Sequence, residues 1–226
     1  MQLQTIKSRI CDDIVKGVFA PDTRLTIDML ASRYQSSHMP IREALRELAG
    51  EGLIRYEARR GARALPLDRR FIEDLLMLRT ELEPLLARLA ARKIDNAGVA
   101  ELCAIQDGLE AAVEAGDNAG AVEANGRFHR CINAIADNPE VSTIVDRHWL
   151  VLSRLWAHYG HVPDRFPGVI SDHRSLITAL ADRSSDDATA LMRAHVIKAK
   201  YQLLHRVDLM QQAERTTKPL NGHGRP

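Results

Sequence analysis

Apolar and polar positions along this chain fall into two textures. In the N-terminal part the apolar runs are short. Ile6, Ile10, Ile14 and Val15 recur at helical spacing from about Thr5 and stop at Gly17. Phe19 to Leu25 reads as a loop or short extended piece, and Thr26 or Asp28 opens a second helix through Met29, Leu30, Ala31 and Tyr34. A tight polar turn from Gln35 to Ser37 leads into a third helix. Pro40 sits in its first turn, Ser37 is placed to cap it, and Ile41, Leu45 and Leu48 share an inward face. Leu53 to Tyr56 and Ala62 to Leu65 then read as short strands of a hairpin around Glu57-Ala58-Arg59-Arg60-Gly61. From Asp68 onward strand signals vanish. Helical segments are expected at 69–93, 97–115, 118–136, 139–159, 169–182 and 185–208, broken at Asn96-Ala97-Gly98, Gly116-Asp117, Asn138-Pro139, His161-Val162-Pro163 with Pro167-Gly168, and Asp182 to Ser185. Pro84 falls inside the first of these and should kink it or mark a local irregularity. The stretch 209–226 lacks periodicity and is expected to be disordered.

The third helix carries the most informative chemistry. Arg42 and Arg46 lie one turn apart on a face distinct from the apolar one, with Ser37, His38 and Met39 at the tip. A helix with donors at its tip and along one face is what the DNA major groove admits, although an ordinary surface helix with Arg/Glu pairs has the same pattern. Its flanks favour the DNA reading. Two short helices joined by a tight turn fit helix-turn-helix geometry. The hairpin puts Arg59, Arg60 and Gly61 at its tip with Arg63 beyond, which suits a wing contacting phosphate or the minor groove. The fold class expected is therefore mainly α: a winged helix-turn-helix over 1–66, a linker at 67–68, and an all-α six-helix bundle over 69–208.

Composition is consistent with this division. The 226 residues suit one large or two small domains, 45% of them are hydrophobic, and aromatics are scarce at 4%. Net charge is only +1, but it is unevenly spread. Residues 1–67 hold 11 basic and 8 acidic side chains, leaving 20 basic and 22 acidic in the remainder, so the excess lies where DNA contacts are expected. No apolar run reaches membrane-spanning length and no signal-peptide pattern opens the chain, so a cytoplasmic protein without a membrane partner is expected. Cys11, Cys103 and Cys131 form no CxxC pair and read as reduced small hydrophobes.

The order helix, helix, recognition helix, wing over residues 5 to 66 resembles the winged-helix domain of GntR-family transcriptional regulators. The residues that carry the resemblance are Gly17 to Leu25, Leu30-Ala31, Pro40 to Leu45, Glu51-Gly52-Leu53 and Arg60-Gly61. Where that family often has arginine after the cap serine, this chain has His38. It also has Asp22 in place of a common glycine and Ser36 in place of a common valine. Imidazole lacks the bidentate fork of arginine, so His38 bears on which operator is read.

In the helical part, Asn125 and His129 are one turn apart, and His173 and His195 fall beside apolar positions on the last two expected helices. Nine histidines are spread through the chain, so each of these also reads as a hydrogen-bonded core or surface residue. The segment Asn125 to His129, with Asn138-Pro139, His173 and His195, resembles the FCD effector domain of the FadR subfamily. Leu78 to Pro84 resembles the start of the same domain, and six long helices are closer to its VanR-like branch. The resemblance implies a divalent metal held by Asn125, His129, His173 and His195. Three imidazoles favour zinc or nickel over magnesium or calcium. A metal in an apolar cavity attracts a carboxylate strongly. On the resemblance, Arg79 is the second anchor for that carboxylate; an ion pair with Glu83, one turn away, is the plain alternative.

Three functions are then compared. The first is a homodimeric repressor whose wings grip an inverted-repeat operator of double-stranded DNA and respond to a small organic acid. A second makes the metal itself the signal. A third, a metal-dependent hydrolase, needs a general base for which no HExxH-type element or paired carboxylate is present, and it leaves the winged helix unexplained. No catalytic residue and no enzyme activity are expected.

Overall fold

The computed structural model describes residues 5–20, 22–57, 61–65, 67–160 and 165–217. Nine helices and three strands are assigned among them. The N-terminal elements are α1 (Ile6–Val15), β1 (Arg24–Leu25), α2 (Ile27–Tyr34), α3 (His38–Gly50), β2 (Ile54–Glu57) and β3 (Gly61–Ala64). Thr5 and Thr26 cap α1 and α2 by accepting from Ser8 N and Met29 N. Ser37 has the extended backbone of an N-cap, yet its hydroxyl makes no capping bond to α3. β3 lies between β1 and β2, antiparallel to both, in the order β1-β3-β2. The short extended piece at Arg24–Leu25 thus closes the wing sheet. Asp22, just before it, has φ 61, the left-handed region that explains why glycine is common there.

The helical part comprises α4 (Arg69–Lys93), α5 (Asn96–Glu114), α6 (Asn118–Ala136), α7 (Pro139–Tyr159), α8 (Arg165–Ala181) and α9 (Ser185–Thr217). Asp68, Asp95, Asp117 and Asn138 each cap the helix that follows with a side-chain oxygen. α4 continues through Pro84 without interruption. Two boundaries differ from expectation. α8 begins at Arg165 rather than 169, so Pro167 falls in its first turn, where a missing N–H leaves no helical bond unmade. α9 does not end at 208 but runs to Thr217, so 209–217 is helical rather than disordered; residues 218–226 lie outside the described residues. Leu203, Leu204 and Val207, inside the expected span, are buried in one apolar cluster with Ile72 and Leu76 of α4 and the N-terminal elements.

That core is continuous across the two parts. Ile10, Leu30, Ile41, Leu48 and Leu53 join Ile72 and Leu76 of α4, Leu152, Leu155 and Trp156 of α7, and Leu203 of α9 in a single apolar cluster. A second cluster at the far end of the bundle includes Leu86, Leu102, Phe128, Ile132, Leu176 and Val196. α7 bridges the parts further: Arg147 packs its side chain over Gly52, and Arg154 reaches Asp12 of α1 at 3.9 Å. α7 thus touches both α1 and the turn that follows α3.

Candidate metal centre and nucleic-acid interface

On α3, Ile41, Ala44, Leu45 and Leu48 are buried, while His38, Met39, Arg42 and Arg46 are exposed. Arg42 and Arg46 have no ion-pair partner among the described residues, so their donors are free for a ligand. His38 Nε2 lies 3.3 Å from Asp28 Oδ1 at the start of α2. Arg63 is placed differently from a free wing contact. Its guanidinium donates to the Asp22 carbonyl and lies 3.1 Å from Glu57 Oε2, so it fastens the base of the wing. Arg55 is likewise taken up by Asp22 and Glu57. Gly61 opens β3 at φ 80, whereas Arg59 and Arg60 lie outside the described residues.

The buried polar groups of the bundle gather where the two apolar clusters meet. α6 brings Asn125 and His129, α8 brings His173, and α9 brings His195, all buried. One nitrogen from each of the three rings lies within 4.8 Å of the others. Each ring is held from its Nδ1 side. His173 Nδ1 is 2.8 Å from Gln106 Oε1, and Gln106 Nε2 donates to Glu110 on α5. That bond orients the amide with its oxygen toward His173, so His173 Nδ1 must carry the proton. His195 Nδ1 is 3.2 Å from Asp172 Oδ2, and Lys198 donates to the other oxygen of that carboxylate. His129 Nδ1 is 2.7 Å from Glu83 Oε2. His173 and His195 face hydrogen-bond acceptors from Nδ1, and His129 Nδ1 is in ion-pair contact with Glu83, so the Nε2 lone pairs remain for a metal, the arrangement in which outer partners set tautomer and ring orientation.

Two buried atoms test the fit. His173 Nε2 and Asn125 Oδ1 have no hydrogen-bond partner in the protein. Leaving a buried acceptor unmatched is costly, and both are donor atoms that a divalent cation accepts. The protonation state also fits: burial pushes His173 well below the usual imidazole range, and it lowers His129 despite the opposing pull of Glu83. Neutral rings are the form that ligates. Phe128 stacks on His173 at 3.8 Å and Trp149 sits edge-on to His129 at 5.3 Å, so the walls are apolar and aromatic.

Arg79 is in the same cavity, but paired. Its Nε and Nη2 each lie 2.5 Å from Glu83 Oε1, and its guanidinium covers Trp149 at 4.6 Å. Burial raises the Glu83 carboxyl, but the Arg79 charge and the contacts from His129 and Arg79 outweigh it and hold that group at about 2. The plain alternative for Arg79 is thus realised, with one oxygen of Glu83 for the arginine and the other for the histidine. Gln106 and Asp172 are the site residues that the sequence did not reveal, and Glu83 was expected only as a partner of Arg79, not of His129. Asp172 is adjacent to His173, and nothing local pointed to Gln106. The cavity beside them, lined by Arg79, Asn125, His129, Trp149, Arg165 and His195 among others, has a volume of about 20 Å³. A groove of about 820 Å³ runs between the DNA-binding part and the bundle, but it lacks such a donor cluster. Trp156 lines both spaces. Among the described residues, no helix is long and apolar enough to cross a membrane.

Both parts of the chain match known protein families. Residues 74–198 match the family model of the FCD domain, and residues 2–63 match that of the bacterial regulatory proteins, gntR family. The chain is 29% identical over 197 residues to the Nta operon transcriptional regulator of Aminobacter aminovorans, covering 82% of this chain and 87% of that protein. It is 25% identical over 186 residues to the HTH-type transcriptional repressor RspR of Escherichia coli, covering 81% of each. Among solved structures, the E. coli protein McbR/YncC has the same fold with a TM-score of 0.67, at 20% identity over 94% of this chain and all of that one. The matching family and relatives are transcriptional regulators, not enzymes.

Proposed function

The chain belongs to the GntR family of bacterial regulatory proteins, with an FCD domain behind its DNA-binding domain, and we propose that it is a repressor controlled by a ligand bound at a metal-containing pocket. In this reading it acts in the cytoplasm as a homodimer. Each protomer inserts α3 into one half-site of an inverted-repeat operator, with Ser37, His38 and Met39 at the tip, Arg42 and Arg46 along the face, and Arg59, Arg60 and Gly61 in the wing. His129, His173 and His195, with the amide oxygen of Asn125, hold one zinc or nickel ion. The ion leaves positions for a small carboxylate effector. The observation that carries the reading is the three-ring cluster itself: every Nδ1 faces an acceptor, and His173 Nε2 is buried without a partner.

Control follows from size and connectivity. A cavity of about 20 Å³ has room for an ion or a water but not for an organic acid. Effector entry must therefore part its walls, and Trp149, Leu152 and Trp156 on one wall belong to α7. α7 packs into the same apolar cluster as α1 and α3, so its displacement moves the recognition helix. Coupling of this kind is typically worth 5–150-fold in affinity. The test is operator affinity, measured by fluorescence anisotropy on a duplex selected from a random library. Zinc-loaded protein should release it on addition of the effector acid, whereas His173→Ala should bind the duplex equally well and ignore the acid. An acid response intact in His173→Ala would overturn the reading.

The small cavity volume also favours a second reading, in which the metal itself is the signal. Dialysis separates the two. A resident metal survives it, while a sensed one exchanges and changes operator binding.

A further inference from the structure

Among the described residues, three buried side chains other than histidine are formally charged: Arg79, Glu83 and Arg165. Arg79 and Glu83 neutralise each other. Arg165, the first residue of α8, is 4% exposed and faces no carboxylate among the described residues. Its Nη1 donates to the Gln202 amide oxygen at 3.2 Å, its guanidinium lies 3.8 Å from the centre of the Trp156 ring, and its Nε has no partner. Nearby acidic groups are already engaged: Glu83 by Arg79 and His129, Asp172 by His195 and Lys198. Burial alone pushes the guanidinium down to about 10, a sign of how poorly its charge is compensated. A buried cation without an opposite charge is among the costlier features of a protein interior, and arginine's planar fork fits a carboxylate.

Arg165 lines the same cavity as Arg79, Asn125, His129 and His195. Three imidazole ligands and an amide bring no negative charge to a divalent ion. Ion and Arg165 together would place three positive charges in one apolar space, and a single carboxylate would leave two of them. We propose that Arg165 is the second anchor of the effector, and that the effector is a small dicarboxylate with one carboxylate on the metal and the other on the Arg165 guanidinium. This rests on the metal reading above and shifts the anchoring role from Arg79, whose charge is already spent on Glu83.

The test uses the full-length protein loaded with zinc and isothermal titration with malonate, succinate and glutarate, each against the monocarboxylate of equal carbon number. At least one dicarboxylate should bind about tenfold or more tightly than its monocarboxylate, as expected for hydrogen bonds to a charged partner. Arg165→Met should abolish that preference while leaving monocarboxylate affinity and zinc content unchanged. Arg165→Gln, which keeps polar donors at the site, serves in its place if the methionine variant does not fold, and the same loss is expected. Equal affinity for mono- and dicarboxylates, or a preference that survives both substitutions, overturns the proposal. Zinc content measured on the same samples tests the earlier reading separately. A chain that takes up no zinc overturns the metal reading and with it the bridging of metal and Arg165. Full zinc occupancy without the dicarboxylate preference overturns the Arg165 anchor alone.

Discussion

Replacing Glu83 with leucine removes the carboxylate shared by Arg79 and His129 and separates two kinds of energy at one residue. Both partners of the pair are buried, with Glu83 at 1% and Arg79 at 3% exposure. The substitution leaves the guanidinium in the core with only the Trp149 face against it. Breaking a buried pair from one side costs about 3–5 kcal/mol. For a chain of this size, with a shift of about 2–4 °C per kcal/mol, the melting temperature should fall by roughly 6–20 °C. The assay is scanning calorimetry in the presence of a chelator, so that no metal contributes by linkage. Arg79→Met combined with Glu83→Leu should recover most of the loss, because both charges then leave the core together. Metal affinity should not recover. In both variants His129 lacks its Nδ1 acceptor, and loss of such an outer partner lowers metal affinity by about 10–100-fold. Competition against a chromophoric chelator reads that change. A single substitution costing under about 1 kcal/mol, a double variant as unstable as the single one, or unchanged metal affinity would each refute the reasoning.

Other outcomes follow from the DNA-binding part. Arg42→Ala should weaken binding to a selected operator by about 1–3 kcal/mol in anisotropy titrations, with little change on random duplex; equal loss on both would make Arg42 a phosphate contact. Gly52 has φ 76, and a Cβ there would meet the Arg147 side chain at 3.1 Å. Gly52→Ala should therefore cost about 1–2 kcal/mol in denaturant unfolding. Gly50→Ala, two residues earlier in open space at ordinary φ, should instead stabilise by about 0.4–1 kcal/mol. Identical effects of the two alanines would show that the backbone at Gly52 is not constrained as described.

Much of the architecture could be read from local signals. Thr5, Thr26, Asp68, Asp95, Asp117 and Asn138 cap helices where polar residues precede apolar periodicity, and those starts lie within a residue of expectation. Boundaries failed where the deciding force was not local. Pro167 looked like a break because proline usually is one, yet the first turn of a helix tolerates it. α9 runs on past 208 to Thr217, where no apolar periodicity marks its continuation. At the candidate site, the resemblance to FCD domains pointed to the three histidines. Their supports were opaque, because Gln106 and Asp172 act through partners 67 and 23 residues away. Arg79 shows the opposite case. Its i,i+4 spacing to Glu83 was visible, and that simple pairing is what the fold contains. Arg165 was hidden behind the expected break at Pro163 and Pro167, although it is a buried cation lining the cavity.

The most direct measurement of the central claim is a calorimetric titration of zinc or nickel into chelator-treated full-length protein, repeated with His173→Ala. The account predicts one ion per chain in the parent protein and no stoichiometric binding in the variant, with the operator affinity of the variant preserved. Absence of uptake by the parent, or equal uptake by the variant, would contradict it.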